Sequence, residues 1–304
     1  MTGAGSGEFA IAIEDSFRTL PDVPTWFQPG EDNSVGDAAL DRQLIDVEQA
    51  DDPRGNASVE GNRIGTFSVS FTYAGTDWHP LVFPATSPVG LAQSGAFAPT
   101  ATIYLGAELP SGTTEERFLS GAHVTSFTLT YTEGGVVEVE LTFTYHDEPE
   151  VGGTHGDAPG TINTPNKADI VTANGFDLDV AGAQVERLQE FTISVGNMST
   201  ERTQQSQVAA DAVVGNYDQT GSISAVLSNT LTERTYGSST AVEPLDEVEE
   251  TTATMTCEAR NGNSDEYNIT RLQPATTSWA SALSNDDQTT NPTDIRFVDI
   301  TVTP

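Results

Sequence analysis

Four histidines, one cysteine and an excess of carboxylates are the side chains of this 304-residue sequence whose types could do chemistry. The histidines are His79, His123, His146 and His155, and only His146 and His155 stand near each other, within Tyr145-His146-Asp147-Glu148 and Thr154-His155-Gly156-Asp157. Imidazole nitrogens and carboxylate oxygens are ligands for transition metals. This spacing matches no ligand frame, and polar residues at a strand end in a solvated loop account for it better, so no metal site is assigned. Cys257 stands alone, which excludes an intrachain disulfide framework and any Cys-rich zinc or iron–sulfur site; it reads as a small buried hydrophobe. No Gly-x-Ser-x-Gly elbow, phosphate loop with its lysine, or His-Glu-x-x-His run is present. With no such motif, no catalytic or cofactor-binding residue is assigned and the chain is expected not to be an enzyme.

The 45 Asp and Glu stand against 12 Lys and Arg, a formal charge of -33. Among so many acids some pair will lie close by chance, so two carboxylates in register do not imply a glycosidase. Asp51-Asp52, Asp246 to Glu250 and Asp286-Asp287 follow no calcium-loop spacing and read as solvated surface. The only cofactors left open are structural cations bridging carboxylates. The charge excludes an electrostatic grip on nucleic acid. Lys167 is the only lysine, the other basic residues are arginines, and there are 41 threonines. That composition fits a protein of very salty cytoplasm, where a Debye length of about 3 Å at 1 M screens repulsion among surface acids.

The elements that must position these residues are strands. The clearest is a hairpin over His123 to Tyr145: Phe127, Leu129 and Tyr131 alternate with threonines, Glu133-Gly134-Gly135 turns, and Val137, Val139, Leu141, Phe143 and Tyr145 alternate with Glu138, Glu140, Thr142 and Thr144. It has one apolar face and one Thr/Glu face. Further strands are expected at Thr66 to Tyr73, Glu190 to Val195, Thr220 to Leu227, Thr251 to Glu258, Glu266 to Leu272 and Asp294 to Val302. Short helices are expected at Asp37 to Leu44, Val208 to Val214 and Ser278 to Leu283. Pro84 to Glu116 and Asn197 to Val213 read as long polar loops.

Apolar periodicity is lost between Glu148 and Ala168, which divides the chain into 1–150, a linker at 151–168, and 169–304. Fragments recur between the halves. Gly61-Asn62-Arg63-Ile64-Gly65-Thr66-Phe67-Ser68-Val69 resembles the stretch from Gly215-Asn216 to Gly221-Ser222-Ile223, and Gly121-Ala122-His123-Val124 resembles Gly182-Ala183-Gln184-Val185. The expected fold is therefore mostly β, in two tandem halves, with long loops and at most short helices. Trp26-Phe27 and Trp78, set beside Pro and Gly, are either core anchors or aromatics of a subunit interface. Met1 to Gly7 has no basic n-region or continuous apolar run and no stretch is long enough to span a membrane, so a cytoplasmic product is expected.

The layout resembles the tail tube proteins, or major tail proteins, of long-tailed non-contractile phages and archaeal viruses. The resemblance is carried by Gly7-Glu8-Phe9-Ala10-Ile11-Ala12-Ile13-Glu14-Asp15-Ser16-Phe17 and the loop to Trp26. It continues in the acidic stretch Asp46 to Arg63 leading into Gly65 to Phe71, in Gly121 to Tyr131 closing on Glu133-Gly134-Gly135, and in Phe191 to Asn197 before Gly221-Ser222-Ile223. It spans nearly the whole chain and rests on layout, not on one diagnostic motif. The resemblance implies two tandem β-sandwich or barrel-like tube domains with subunits closing rings, trimeric pseudo-hexamers if the halves are duplicated and hexamers otherwise. It also implies rings stacked into a conduit for viral DNA that passes without specific binding. The partners implied are further copies of the chain and other tail proteins such as tape measure, tail terminator and baseplate proteins, with no membrane contact. The protein is then a virion component, in the tail, assembled in the host cytoplasm. Thr128, Thr130, Glu138 and Glu140 are candidates for the face toward the lumen, or equally toward solvent. The competing reading is a β-sandwich carbohydrate- or surface-binding module of a halophile, which requires an exposed aromatic platform.

Overall fold

The computed structural model describes residues 7–36, 38–42, 45–47, 57–59, 61–108, 113–153, 155–204, 206, 208–226, 250–277 and 290–303. Strands dominate, and nineteen of the described strands join in one hydrogen-bonded network. The network folds into three sheets. The central one runs, in order, from Glu31–Val35 and Ala39–Asp41 through Ile64–Thr72, Glu138–Tyr145, the C-terminal part of Thr114–Thr132, Leu188–Gly196, Asp218–Val226 and Thr290–Arg296 to the C-terminal part of Ser264–Thr277. A second sheet sets Trp26–Phe27, Gly7–Ile13 and Ala101–Glu108 beside the N-terminal part of Thr114–Thr132. The third sets Ala183–Gln184, Val171–Val180 and Thr251–Ala259 beside the N-terminal part of Ser264–Thr277, then Asp299–Thr303, Val89–Gly90 and Ala85–Thr86.

The alternation expected of the hairpin is what builds the core. Phe67, Val69, Phe71, Phe127, Leu129, Val139, Leu141, Phe143, Phe191, Ile193, Val195, Ile223 and Ile295 all point to the buried face of the central sheet and belong to one apolar cluster. Successive side chains on a strand alternate faces, so their neighbours Ser68, Ser70, Thr128, Thr130, Glu138, Glu140, Thr192, Ser194, Ser222 and Asp294 share the opposite face.

The pairing scheme of the first half recurs in the second. Gly7–Ile13 leads by successive antiparallel pairings to Ala101–Glu108, Thr114–Thr132, Glu138–Tyr145, Ile64–Thr72 and Glu31–Val35. Val171–Val180 leads in the same way to Thr251–Ala259, Ser264–Thr277, Thr290–Arg296, Asp218–Val226 and Leu188–Gly196. The irregularities recur too. Ala101 faces Ala122 and Ile103 faces Leu119, just as Thr251 faces Leu272 and Ala253 faces Ile269. Val124 faces Phe143 and Ser126 faces Thr142, just as Pro274 faces Ile295 and Thr276 faces Asp294. Each long strand passes from one sheet to the next through a left-handed residue, Gly121 at φ 64° and Arg271 at φ 53°. Glycine is required at the first of these, because a Cβ there would lie 2.8 Å from the Arg18 side chain. Of the two fragment resemblances, the first is structural: Phe67 faces Phe143 as Gly221 faces Ile295. The second is not, since Gly121 sits in a strand bend and Gly182 in the turn before Ala183–Gln184.

Several local expectations are corrected. Asp37 to Leu44 and Val208 to Val214 are not helices, for Ala39–Asp41 and Asp211–Val214 are strands; alanine's helical preference yields to partners in Ile64–Thr72 and Ser199–Arg202. The helix expected at Ser278 to Leu283 lies outside the described residues. Pro84 to Glu116 and Asn197 to Val213 hold strands where loops were expected, including all of Ala101–Glu108. Asp294 to Val302 is two strands, broken at Phe297 and Val298, where the chain moves from the central sheet to the third. The stretch 151–168 lies against the first half: Ile162–Asn163 runs parallel to Trp26–Phe27, and Val151, Ala158 and Ile162 pack on the Trp26, Tyr104 and Phe118 cluster.

Both halves contribute to one core. Strands Thr114–Thr132 and Leu188–Gly196 join them directly, from Phe127 opposite Val195 to Thr132 opposite Glu190. A buried polar cluster also crosses between them. The Tyr73 hydroxyl donates to Asp265 Oδ2 at 2.7 Å, and the Tyr267 hydroxyl lies 2.7 Å from that of Tyr73 and 2.9 Å from His79 Nε2. Burial lowers the His79 pKa from 6.5 to about 3. The unfolded chain thus takes up a proton below 6.5 that the folded one refuses until about 3. The stability His79 contributes is complete above the upper value and is lost as pH falls toward the lower, by about 1.4 kcal/mol per pH unit inside that window. His79→Gln is expected to flatten the fall of the urea midpoint between about pH 6 and pH 4; an unchanged slope refutes this account.

Candidate functional site

The polar face of the central sheet is the surface on which the candidate residues converge. One row across it reads Thr72, Glu138, Thr130, Thr192, Ser222, Asp294 and Thr276, each directly opposite the next. The adjacent row reads Ser34, Ser70, Glu140, Thr128, Ser194, Thr220, Arg296 and Gln273. The four residues singled out from the sequence, Thr128, Thr130, Glu138 and Glu140, thus occupy the middle of a face that runs unbroken through both halves. Hydroxyls tie neighbouring strands on it, as Thr128 Oγ1 and Ser194 Oγ do at 3.1 Å. Its ionised groups are mostly acidic, with Glu138, Glu140, Glu190 and Asp294 against Arg296. A sheet face of hydroxyls and exposed carboxylates is wetted and repels phosphate.

The ends of this sheet are its second chemical feature. Glu31–Val35 pairs with Ile64–Thr72 on one side, and among the described residues no strand covers its other side. The end of Ser264–Thr277 pairs with Thr290–Arg296, and again no described strand lies beyond it. Val35, on the first of these edges, is 40% exposed. Open strand edges are templates for pairing with another chain.

The three aromatics considered for an interface lie inside the subunit. Trp78 is fully buried and stacks on Phe127 with centroids 5.6 Å apart. Trp26 stacks on Phe118, also at 5.6 Å, and Phe27 faces Ile11. They form no exposed platform of the kind a sugar-binding module presents.

Glu14 was not singled out by its type, yet it holds the bend of the longest strand. Its Oε2 accepts from the Arg18 backbone N–H at 2.7 Å and the Thr100 hydroxyl at 2.6 Å, and its Oε1 from the Thr102 hydroxyl at 2.7 Å and the Gly121 N–H at 2.9 Å. The signal available was its place in Glu14-Asp15-Ser16-Phe17, at the end of the opening strand. Cys257 is buried, and burial pushes its thiol pKa up, as suits the small hydrophobe expected. Of the acidic clusters, only Glu250 lies among the described residues, and it holds Arg271 through two bonds of 2.9 and 2.7 Å.

The histidines are regrouped. His146 meets His123, with Nε2 atoms 3.3 Å apart, whereas His155 Nε2 lies 3.0 Å from the Thr102 hydroxyl and its ring against Phe118. Burial, and then the neighbouring His146, lower the His123 pKa to about 3. With Glu201, these two are the group among the described residues that could hold a metal ion.

No curated protein matches the chain. The described strands form a β network with one apolar and one wetted face, and the family model of the phage tail tube protein matches residues 6–304. The chain belongs to the phage tail tube protein family.

Proposed function

We propose that this virion structural protein is the tail tube subunit of a siphovirus-type tail from a salt-loving archaeal host. Three copies close each ring, and the rings stack into the conduit for DNA. One observation carries the trimer: the repeat of the pairing scheme, bulge for bulge, in the two halves. Within the chain, Thr114–Thr132 of the first half pairs with Leu188–Gly196, the first central-sheet strand of the second. Glu31–Val35 holds the equivalent place in the first half. Pairing the end of Ser264–Thr277 of one copy with Glu31–Val35 of the next repeats that internal junction. Three chains of two such units each then make a closed ring of six. The continuous Thr/Glu face becomes its inner wall, from which phosphates are repelled. Assembly in the host cytoplasm and contacts with tape measure, tail terminator and baseplate proteins follow from that role.

Negative-stain electron microscopy with sedimentation at molar salt tests this reading. Rings of three chains support it. Sixfold rings of six chains overturn the trimer, and a protein that stays a single chain at every concentration overturns the self-assembling tube.

The salt reading has its own test. Going from 1 M to 0.1 M salt lengthens the Debye length from about 3 to about 10 Å, so repulsion within a chain of charge -33 grows. The thermal midpoint is expected to fall by roughly ten degrees or more, well beyond the ~2 to 4 degrees that 1 kcal/mol shifts a domain of this size. A midpoint that does not change with salt overturns the halophilic assignment. Adding a divalent cation at low salt is expected to restore part of the assembly if cations bridge carboxylates between subunits, and an assembly indifferent to it removes that idea.

A further inference from the structure

His123 and His146 bring two ring nitrogens to within 3.3 Å of each other inside the protein. The Ser199 hydroxyl donates its only proton to the Val124 carbonyl, so its oxygen, 2.6 Å from His123 Nδ1, must accept the Nδ1 proton. His146 Nδ1 lies 3.4 Å from the Arg63 carbonyl, which only accepts. With the Nδ1 proton of each ring given to these oxygens, both Nε2 lone pairs are free to face the same gap, the two nitrogens 3.3 Å apart. Both residues are fully buried. In that tautomer a cation between the two nitrogens removes the repulsion of their lone pairs. A proton there would charge an imidazole taken out of water.

We propose that His123, His146 and Glu201 bind a divalent transition-metal cation, zinc being the best match, through the two Nε2 atoms and a carboxylate oxygen. Zinc–nitrogen bonds are about 2.0 to 2.1 Å, and at the tetrahedral angle two such nitrogens stand about 3.3 to 3.4 Å apart. The observed separation is 3.3 Å. The ligand atoms of the three residues lie within 4.8 Å of one another, and Glu201 is half-buried. Metal-bound histidines ordinarily donate their second N–H to a carbonyl or another oxygen, which fixes the tautomer and turns the free lone pair toward the metal. Ser199 Oγ and the Arg63 carbonyl are placed to accept those protons, at 2.6 and 3.4 Å. Two nitrogens and one carboxylate favour zinc over calcium or magnesium, which prefer all-oxygen sites. Water takes the fourth position.

The ion would tie together three pieces of chain that hydrogen bonds join only in part. His123 lies on Thr114–Thr132, His146 directly follows Glu138–Tyr145, and Glu201 belongs to Ser199–Arg202, which with Asp211–Val214 forms a separate two-stranded ribbon. Its role is structural: it fastens that ribbon to the central sheet, whatever the number of chains in the ring.

The test uses the full-length protein. Metal content is measured by plasma mass spectrometry after purification without added metal, and again after stripping with a chelator. Zinc and then cobalt(II) are titrated into the stripped protein while the thermal midpoint and visible spectrum are followed. One equivalent bound, a higher midpoint with zinc and the visible bands of four-coordinate cobalt are expected. Glu201→Gln should weaken zinc at least tenfold with unchanged far-ultraviolet circular dichroism, and His146→Asn should abolish stoichiometric binding. If His146→Asn does not fold, Glu201→Gln decides. No bound metal and no response to millimolar zinc, or binding that Glu201→Gln leaves unchanged, overturns the site.

Discussion

Val35→Pro is expected to prevent ring formation at the concentration where the wild type assembles, while leaving the single chain folded. The Gly36 N–H donates to the Ser68 carbonyl at 2.8 Å, and Ser34 and Val35 stand opposite Ser70 and Val69. Hydrogen-bonded and non-hydrogen-bonded pairs alternate along an antiparallel ladder. Val35 therefore turns its own N–H away from Ile64–Thr72, toward the open edge. Proline there removes a donor that the folded subunit does not use, and proline is tolerated on edge strands. Its urea midpoint should move by the equivalent of less than about 1 kcal/mol. The residue at this place in the second half is Phe191, opposite Ile223, and its other side is covered by Tyr131. If the next copy covers Val35 in the same way, the loss of that bond and the clash of the ring raise the concentration for half-assembly by at least about tenfold, or 1.4 kcal/mol. Sedimentation of wild type and variant side by side decides; rings forming at the wild-type concentration refute the edge-pairing reading.

Trp78→Ala is expected to have the largest effect on the stability of the chain itself. The indole is fully buried. It meets Phe71 at 5.9 Å, Tyr73 at 5.8 Å, His79 at 4.4 Å and Phe127 at 5.6 Å, and its N–H donates to the Gly75 carbonyl at 3.1 Å. It therefore fills the space beside the Tyr73, His79, Tyr267 and Asp265 cluster that links the halves. Large-to-small changes at such positions cost about 3 to 5 kcal/mol, because the cavity does not fully collapse. Equilibrium urea unfolding of the isolated chain measures this. A variant with unchanged stability but impaired assembly would instead return Trp78 to a subunit contact, the other role its sequence context allowed.

The strands of the central sheet were legible because burial on one face writes a period of two into the sequence, as in Phe127, Leu129 and Tyr131 or Val139, Leu141 and Phe143. Ala101–Glu108 was not legible: Ala-Thr-Ile-Tyr-Leu-Gly-Ala-Glu keeps no alternation, since its first four residues are buried on both faces. Asp211–Val214 was misread because Val-Ala-Ala-Asp-Ala carries helix-forming residues whose preference is weaker than a paired ladder. The repeat was half visible. The Gly61 and Gly215 fragments do hold equivalent places, but the recurrence rests on bulges and register, which leave hardly any trace in residue identity.

Composition, charge and alternation determined by themselves that this chain is a β protein with one wetted Thr/Glu face, because those properties depend on each residue's own solvation. They also carried the layout by which the tail tube family is recognised. Which residues become neighbours across long separations was decided only by the tertiary structure. Strand pairing brought His123 to His146 and left His155 to Thr102. It set Glu14 beneath Gly121 and enclosed Trp26 and Trp78 within the subunit. Contacts of this kind depend on register, and a one-residue slip moves every side chain of a strand to the other face. A turn fixes register within one hairpin; between strands far apart in sequence the packing of the whole sheet does.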